Sequence, residues 1–212
     1  PRIKLKYRPG WDLPMLTRVR REFPRATFHI DCNSGYTIRD LEMFRAIDDL
    51  NLAMIEQPLN HDDLVDHAAL QRSIRTPVCL DESVASVLHV EKALELHSCR
   101  YVNIKPGRVG GLTTAVRIHN LCHAAGIPCG VGGMLESAVG VAQCVSLAML
   151  DNFTYPADIF PSARYYTTDL ADTPITLTRH EGIPAVEVLT RMPEPDPKRV
   201  QQMTVRSQVV DA

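Results

Sequence analysis

The chain has 212 residues, 45% of them apolar and 23% charged, with 23 Lys and Arg against 25 Asp and Glu for a formal net charge of −2. This is an ordinary globular composition, and 11 Gly and 15 Pro without a low-complexity tract give no argument for disorder. A near-neutral chain with no Lys/Arg block lacks the footprint of nucleic-acid binding, and no apolar run approaches the roughly 18 residues of a membrane helix, so neither nucleic acid nor a membrane is an expected partner.

Five short apolar runs each end in an ionisable residue. In chain order Arg2-Ile3-Lys4-Leu5-Lys6 ends in Lys6, Thr27-Phe28-His29-Ile30-Asp31 in Asp31, Leu52-Ala53-Met54-Ile55-Glu56 in Glu56, Pro77-Val78-Cys79-Leu80-Asp81 in Asp81 and Tyr101-Val102-Asn103-Ile104-Lys105 in Lys105, at intervals of 25, 25, 25 and 24 residues. One more interval reaches Ile127 to Gly133. Between the runs lie segments of helical spacing. Leu41, Phe44, Ile47 and Leu50 recur on one face, Asp62 precedes Leu64 to Leu70, Ser86 precedes Val87, Val90 and Leu94, and Thr113 or Thr114 leads into Val116 to Cys122. The period is that of a βα unit, which implies parallel strands with all run-ending residues at the C-terminal edge of one sheet.

Strands are therefore expected near residues 2–6, 27–31, 52–57, 77–81, 101–105 and 127–131, with a seventh at Phe153-Thr154-Tyr155. An eight-stranded α/β barrel occupies about 250 residues, so seven units by residue 155 leave closure one strand short. The expected fold is α/β, an incomplete (β/α)7β TIM-like barrel over residues 1–172 with its first strand missing. The chain, which starts at Pro1 with no lead-in, is expected to be a fragment. Residues 173–212 break the rhythm with Pro174, Pro184, Pro193, Pro195 and Pro197, and Ile175-Thr176-Leu177 and Ala185-Val186-Glu187-Val188 are expected as short strands packing outside the barrel. The start of the chain lacks the cationic-then-apolar order of a signal peptide. Cys32, Cys79, Cys99, Cys122, Cys129 and Cys144 form no C-x-x-C, so reduced structural thiols and a cytoplasmic location are expected.

Asp31, Glu56 and Asp81, ending three successive parallel strands, bring hard oxygen donors toward a common point, a set that suits Mg²⁺, with Mn²⁺ as a substitute. Lys4 and Lys6, two residues apart, share one face of their strand, and Lys105 lies four strands along. A cation that binds a substrate carboxylate acidifies the adjacent carbon, and a lysine beside a metal and a second lysine has its ammonium form disfavoured, which brings it toward use as a base. The chemistry this predicts is proton abstraction α to the carboxylate of a small molecule.

These residues resemble the enolase superfamily in its muconate-lactonizing subgroup. The resemblance covers residues 2 to about 165 and runs through Lys4-Leu5-Lys6, Asp31-Cys32-Asn33, Ile55-Glu56-Gln57-Pro58, Leu80-Asp81-Glu82-Ser83 and Asn103-Ile104-Lys105-Pro106-Gly107-Arg108-Val109-Gly110-Gly111. Gly132-Gly133-Met134-Leu135-Glu136-Ser137 and Asp158-Ile159-Phe160-Pro161-Ser162 resemble the o-succinylbenzoate synthase and N-acylamino acid racemase branch. Dipeptide epimerases carry a D-x-D where this chain has Asp158, Ile159 and Phe160.

Superfamily sites use a Lys or His base with Mg²⁺ stabilising an enediolate, a mechanism that belongs to the family and is not read from the spacing. The resemblance implies Asp31, Glu56 and Asp81 as metal ligands, Lys6 as general base, Lys105 as acid/base or cationic stabiliser, and Lys4 as a neutralising charge. It further implies that Asn33, Glu82 and Asn103 surround the ligands and that Gly133, Met134, Leu135, Glu136 and Ser137 line the substrate. It implies either dehydration in menaquinone biosynthesis or racemisation, a homo-oligomer, and an N-terminal capping domain that this chain lacks. The alternatives are a muconate-type cycloisomerase, a dipeptide epimerase, a Schiff-base aldolase using Lys105 or Lys6, and a non-catalytic barrel fragment serving as scaffold or binding module.

Three weaker signals remain. His119 and His123 are spaced for Zn²⁺ without an acidic third ligand, and a solvated helix face is expected. Gly107 to Gly111 lacks the G-K-[ST] of a phosphate loop and is expected to start a helix. Trp11 is divided between packing at a βα loop and the mouth of the pocket.

Overall fold

The computed structural model describes residues 2–187 and 189–208. Its frame is a six-stranded, all-parallel sheet in the order β1-β2-β3-β4-β5-β6, formed by β1 (Arg2–Lys6), β2 (Thr27–Asp31), β3 (Ile55–Glu56), β4 (Val78–Leu80), β5 (Tyr101–Ile104) and β6 (Cys129–Val131). Each crossover carries a helix: α1 (Leu13–Glu22), α2 (Leu41–Ile47), α3 (Leu64–Ser73), α4 (Val87–Glu95), and the pair α5 (Pro106–Val109) and α6 (Leu112–Ala124). A further helix, α7 (Ala138–Leu147), follows β6. Strands covered on both faces must be apolar on both faces. Phe28, Ile30, Ile55, Val78, Leu80, Val102, Ile104, Cys129 and Val131 are accordingly buried, in one core with Leu16, Phe44, Leu70, Val90 and Ile118 of the helices. No helix among the described residues is long and apolar enough to cross a membrane.

The register does the positioning. Lys6 pairs with Asp31 and Asp31 with Glu56, while Asp81 and Lys105 directly follow β4 and β5, so all five run-ending residues lie along one edge.

Several local expectations shift. Phe153 to Tyr155 form no strand; the chain there makes a single parallel bridge, Gly132 with Asp158, through Asp158 N–H to Val131 O (2.9 Å) and Gly133 N–H to Asp158 O (2.8 Å). Pro156 has no N–H to donate to a ladder at that point, so a regular seventh strand cannot continue through it. The N-cap of α3 is Asp63 rather than Asp62, its Oδ1 accepting from Asp66 N–H at 2.9 Å. Ser86 caps α4 through His89 N–H, as its position predicts. Helix α6 starts at Leu112, before either threonine, because Gly111 at φ +112° takes a backbone conformation that L side chains rarely adopt. His119 is buried, with Nε2 accepting from Asn152 N–H (3.3 Å) and its ring stacked on Phe153, which corrects the expectation of a solvated face at that residue, whereas His123 is exposed as expected.

The tail forms an antiparallel hairpin, β7 (Thr178–His180) with β8 (Ile183–Ala185), shifted from the expected strands at 175–177 and 185–188. Glu181 and Gly182, both at positive φ, make the two-residue turn that sets this register. Val188 lies outside the described residues. Ala171 and Ile175 pack on Ala138, Val141, Ala142 and Val145 of α7. All six cysteines are free, buried thiols.

At the opposite end of the sheet, the Asp48 carboxylate accepts from Thr76 N–H (2.7 Å), Thr76 Oγ1 (2.6 Å), Arg75 N–H (2.9 Å) and Arg75 Nε (3.2 Å), tying the turn after α2 to the start of β4. Burial acts to raise its pKa, but these donors together hold it below the usual carboxylate range. The stabilisation is thus present while an unfolded-state Asp is ionised and is lost as pH falls through the lowered folded-state value. Asp48→Asn is expected to cost about 1–2 kcal/mol in urea denaturation at neutral pH and to flatten the loss of stability below about pH 4. Identical acid limbs in the two proteins would show that the carboxylate charge is not what binds the turn.

Candidate active site

The three strand-end carboxylates are the most buried charges on this edge: Asp31, Glu56 and Asp81 are 2, 3 and 1% exposed. A buried carboxylate persists only when paired and hydrogen-bonded. Lys4 Nζ lies 3.0 Å from Asp31 Oδ2 and 2.9 Å from Glu56 Oε2, with Asp158 Oδ2 at 3.4 Å. Lys6, on the same face of β1, reaches Asp31 Oδ2 at 2.8 Å and Asn33 Oδ1 at 2.5 Å. Asn33 donates its backbone N–H to Asp31 Oδ1 (3.0 Å) and its amide to Glu82 Oε1 (2.9 Å). Asn103 donates to Glu56 Oε1 at 3.0 Å and His29 Nε2 to Glu56 Oε2 at 3.1 Å.

Asp81 has its own cations, Lys105 Nζ on Oδ2 at 2.8 Å and Arg108 Nη1 on Oδ1 at 2.5 Å. The fully buried Gln57 joins the two halves: its Oε1 accepts from Asp81 N–H (2.9 Å) and Ser83 N–H (3.1 Å), and its Nε2 donates to Ser83 Oγ (2.8 Å). A Cβ on Gly132 would stand 2.7 Å from both Lys105 Cε and Asn103 Oδ1, so a side chain there would push Lys105 or Asn103 from its place.

The electrostatics follow from these contacts. Burial alone would raise the pKa of Glu56, but the His29 and Lys4 donors override it and hold the carboxyl near 2, so it is ionised. Burial opposes the Lys4 ammonium, yet Glu56 and Asp31 outweigh it and place Lys4 above its ordinary range. Lys4 is thus held as an ammonium, because carboxylates and not another cation are the neighbours that dominate it. Burial pushes His29 below the usual imidazole range, toward the neutral form.

The side chains of the loop from Gly133 to Ser137 are not drawn into this network. Glu136 turns back to accept from Met134 N–H (2.6 Å), Leu135 O accepts from Tyr166 Oη, and Ser137 precedes α7 without capping it. Met134 and Leu135 are exposed at 47% and 64%. Trp11 is likewise exposed, in a tight turn with Arg8. Sequence reasoning missed His29 and Arg108 as contacts of the carboxylates and Gln57 as the link to the Asp81 backbone. His29 lies two residues before Asp31 on the same strand face, and Arg108 three residues after Lys105, so both were within reach of a spacing argument.

Among the described residues no three carboxylate, imidazole or thiol side chains stand close enough to share one ion. The reason is visible in the pairing, with Lys4 between Asp31 and Glu56 and with Asp81 turned to Lys105 and Arg108. The donor chemistry nevertheless fits a small hard cation. All donors are oxygens, the Lys4 ammonium already acts as a cation bridging two of the carboxylates, and the buried Glu82 Oε2 has no hydrogen-bond partner among the described residues.

Comparison with known proteins agrees with the geometry. Residues 1–184 match the family model described as enolase C-terminal domain-like. The chain is 48% identical over 182 residues to an o-succinylbenzoate synthase of Geobacillus kaustophilus, covering 86% of this chain and 48% of that protein. It is 45% identical over 193 residues to an N-succinylamino acid racemase of Thermus thermophilus, covering 91% of this chain and 50% of the other. A crystal structure of an enolase superfamily member from Listeria innocua superposes with a TM-score of 0.84 at 36% identity, over 95% of this chain and 54% of that one. The chain thus spans about half the length of these relatives. A parallel sheet whose consecutive strands end in lysine, three carboxylates and lysine, with matches of this extent, establishes that the chain belongs to the enolase C-terminal domain-like family.

Proposed function

We propose that this site removes the proton α to the carboxylate of a small-molecule substrate, in o-succinylbenzoate synthase or N-succinylamino acid racemase chemistry or in both. The observation that carries this reading is the pairing of two lysines with two separate buried carboxylates on one sheet edge, Lys6 with Asp31 and Lys105 with Asp81. The identity to relatives with these two names supports it further. Asp31, Glu56 and Asp81 would hold Mg²⁺. When bound, the ion would draw the substrate carboxylate to it and stabilise the negative charge that develops there as the proton leaves.

The chain's own groups do the rest. Lys6, with its side chain 65% exposed, is the more accessible of the two β1 lysines and takes the α-proton in its neutral form. Lys4, fixed as an ammonium, contributes charge and not proton transfer. In racemisation Lys105 delivers a proton to the α-carbon as Lys6 removes one, and the reverse reaction exchanges their roles. In dehydration Lys6 removes the α-proton and then gives it to the hydroxyl on the adjacent carbon, which leaves as water, while Lys105 stays charged. Asn33 and Asn103 orient the Lys6 side-chain nitrogen and the Glu56 carboxylate through the bonds described above. Gly133 to Ser137 would border the substrate, with Met134 and Leu135 as apolar contacts. The epimerase alternative is disfavoured because Phe160 stands where the second acid of its D-x-D would be.

Two outcomes test the reading. Proton NMR in D₂O with Mg²⁺ should show α-proton exchange of N-succinyl amino acids, dehydration of the cyclohexadiene precursor of o-succinylbenzoate, or both. Lys6→Ala and Lys105→Ala should each lower racemisation by about 10²–10⁴-fold, and silence of the unsubstituted protein toward both substrates would overturn the proposal. Separately, Mg²⁺ at 100 times its dissociation constant should stabilise the fold by about 2.7 kcal/mol, read as a raised melting temperature that a chelator reverses. An unchanged melting curve would remove the metal from the proposal.

A further inference from the structure

Three histidines are buried in this chain, His29, His67 and His119. Two of them use both ring nitrogens. His67 bonds Asp63 O through Nδ1 (2.5 Å) and accepts Leu59 N–H at Nε2 (3.3 Å), and His119 bonds Asn120 Oδ1 through Nδ1 (2.9 Å) and Asn152 N–H at Nε2. His29 differs. It has no exposure, and its Nδ1 has no hydrogen-bond partner among the described residues. A buried polar atom without a partner is costly, and a leucine would fill a strand interior without that cost. What offsets it is the one bond His29 makes, from Nε2 to Glu56 Oε2 at 3.1 Å across paired strands.

We infer that His29 is a positioning residue for Glu56, fixing the rotation of its carboxylate so that it presents a set edge to Mg²⁺. The inference rests on the assignment of Glu56 as a metal ligand in the proposed function. A carboxylate only accepts, so Nε2 carries the hydrogen and Nδ1 the lone pair. Glu56 has three donors: His29 on Oε2, Asn103 on Oε1 at 3.0 Å, and Lys4 within 3.1 Å of both oxygens. Lys4 occupies the position between Asp31 and Glu56 that a divalent cation would contest, so it is the donor most readily displaced. His29 and Asn103 then hold one oxygen each, which defines the carboxylate plane without Lys4. Groups that hold metal ligands in this way are commonly worth 10–100-fold in metal affinity. His29 lies in β2 opposite Lys4, outside every motif that marks the family resemblance.

The test compares Mg²⁺ binding by titration calorimetry in the unsubstituted chain, His29→Leu and His29→Gln, with circular dichroism to establish folding. Glutamine places an N–H donor where Nε2 stands, whereas leucine fills the space without one. The expected result is binding weakened about 10–100-fold in His29→Leu and restored to within a few-fold in His29→Gln. Long-range ¹H–¹⁵N spectra of the unsubstituted chain should also show His29 as the Nε2–H tautomer, a readout that needs no folded variant. Leucine binding Mg²⁺ as tightly as histidine, or an Nδ1–H tautomer, would overturn the inference and leave the metal site standing. An unsubstituted chain that takes up no Mg²⁺ would overturn the metal reading itself, and this inference with it.

Discussion

Everything on the functional edge of this molecule depends on giving three buried carboxylates on adjacent strands their cationic partners. Asp31, Glu56 and Asp81 are each nearly inaccessible, and each has a lysine nitrogen within 3.0 Å. Unpaired, such charges would neutralise or unfold the edge, because desolvating an ion without a partner costs more than the fold can supply. The parallel register answers this by placing Lys6 beside Asp31 and Asp31 beside Glu56, and Lys4 on the same strand face reaches both acids. Pairing cation and anion at this density also stores the chemistry, since the same lysines and carboxylates are the groups that a carboxylate substrate and a divalent ion would engage.

A second tier keeps that edge from relaxing. Gln57 satisfies its amide entirely within the protein and connects the residue after Glu56 to the backbone at Asp81 and Ser83. Its positive φ turns the chain sharply as β3 ends, which carries the side chain across to β4. Arg108 adds a bond to the Asp81 backbone carbonyl as well as to its carboxylate, fixing the residue at two points. Gly132 leaves the room in which Lys105 and Asn103 pass. None of these residues need touch a substrate, yet each restricts where an oxygen or an ammonium can stand, and catalysis by positioned charge depends on that restriction.

Much of this architecture was legible in the sequence because it is periodic. A near-constant interval of 25 residues between run-ending residues is a local count, and it locates six strands and the five charges at their ends without knowledge of any contact. Where the reading slipped, the competing cause was local chemistry that the period does not encode. Pro156 prevents a regular seventh strand, Gly111 starts α6 early, and Glu181-Gly182 sets a hairpin register different from the one suggested by the Thr/Val runs. The loop from Gly133 to Ser137, placed by resemblance, largely folds on itself and meets the charged cluster through its backbone bond from Gly133 N–H to Asp158 O.

The sequence by itself determined which residues stand at the sheet edge, since strand alternation and a fixed βα length leave little freedom in where each run must end. Only the tertiary structure decided how the charges share one another. Lys4 meets Glu56 across 52 residues of chain and Asp158 across 154, and which acid takes which cation is settled by side-chain reach and burial rather than by spacing. For the same reason His29 reads as a core residue in the strand and becomes the partner of Glu56 only when β2 and β3 pair. A hydrogen bond between strands is a property of the register, and the register exists only once the strands have paired.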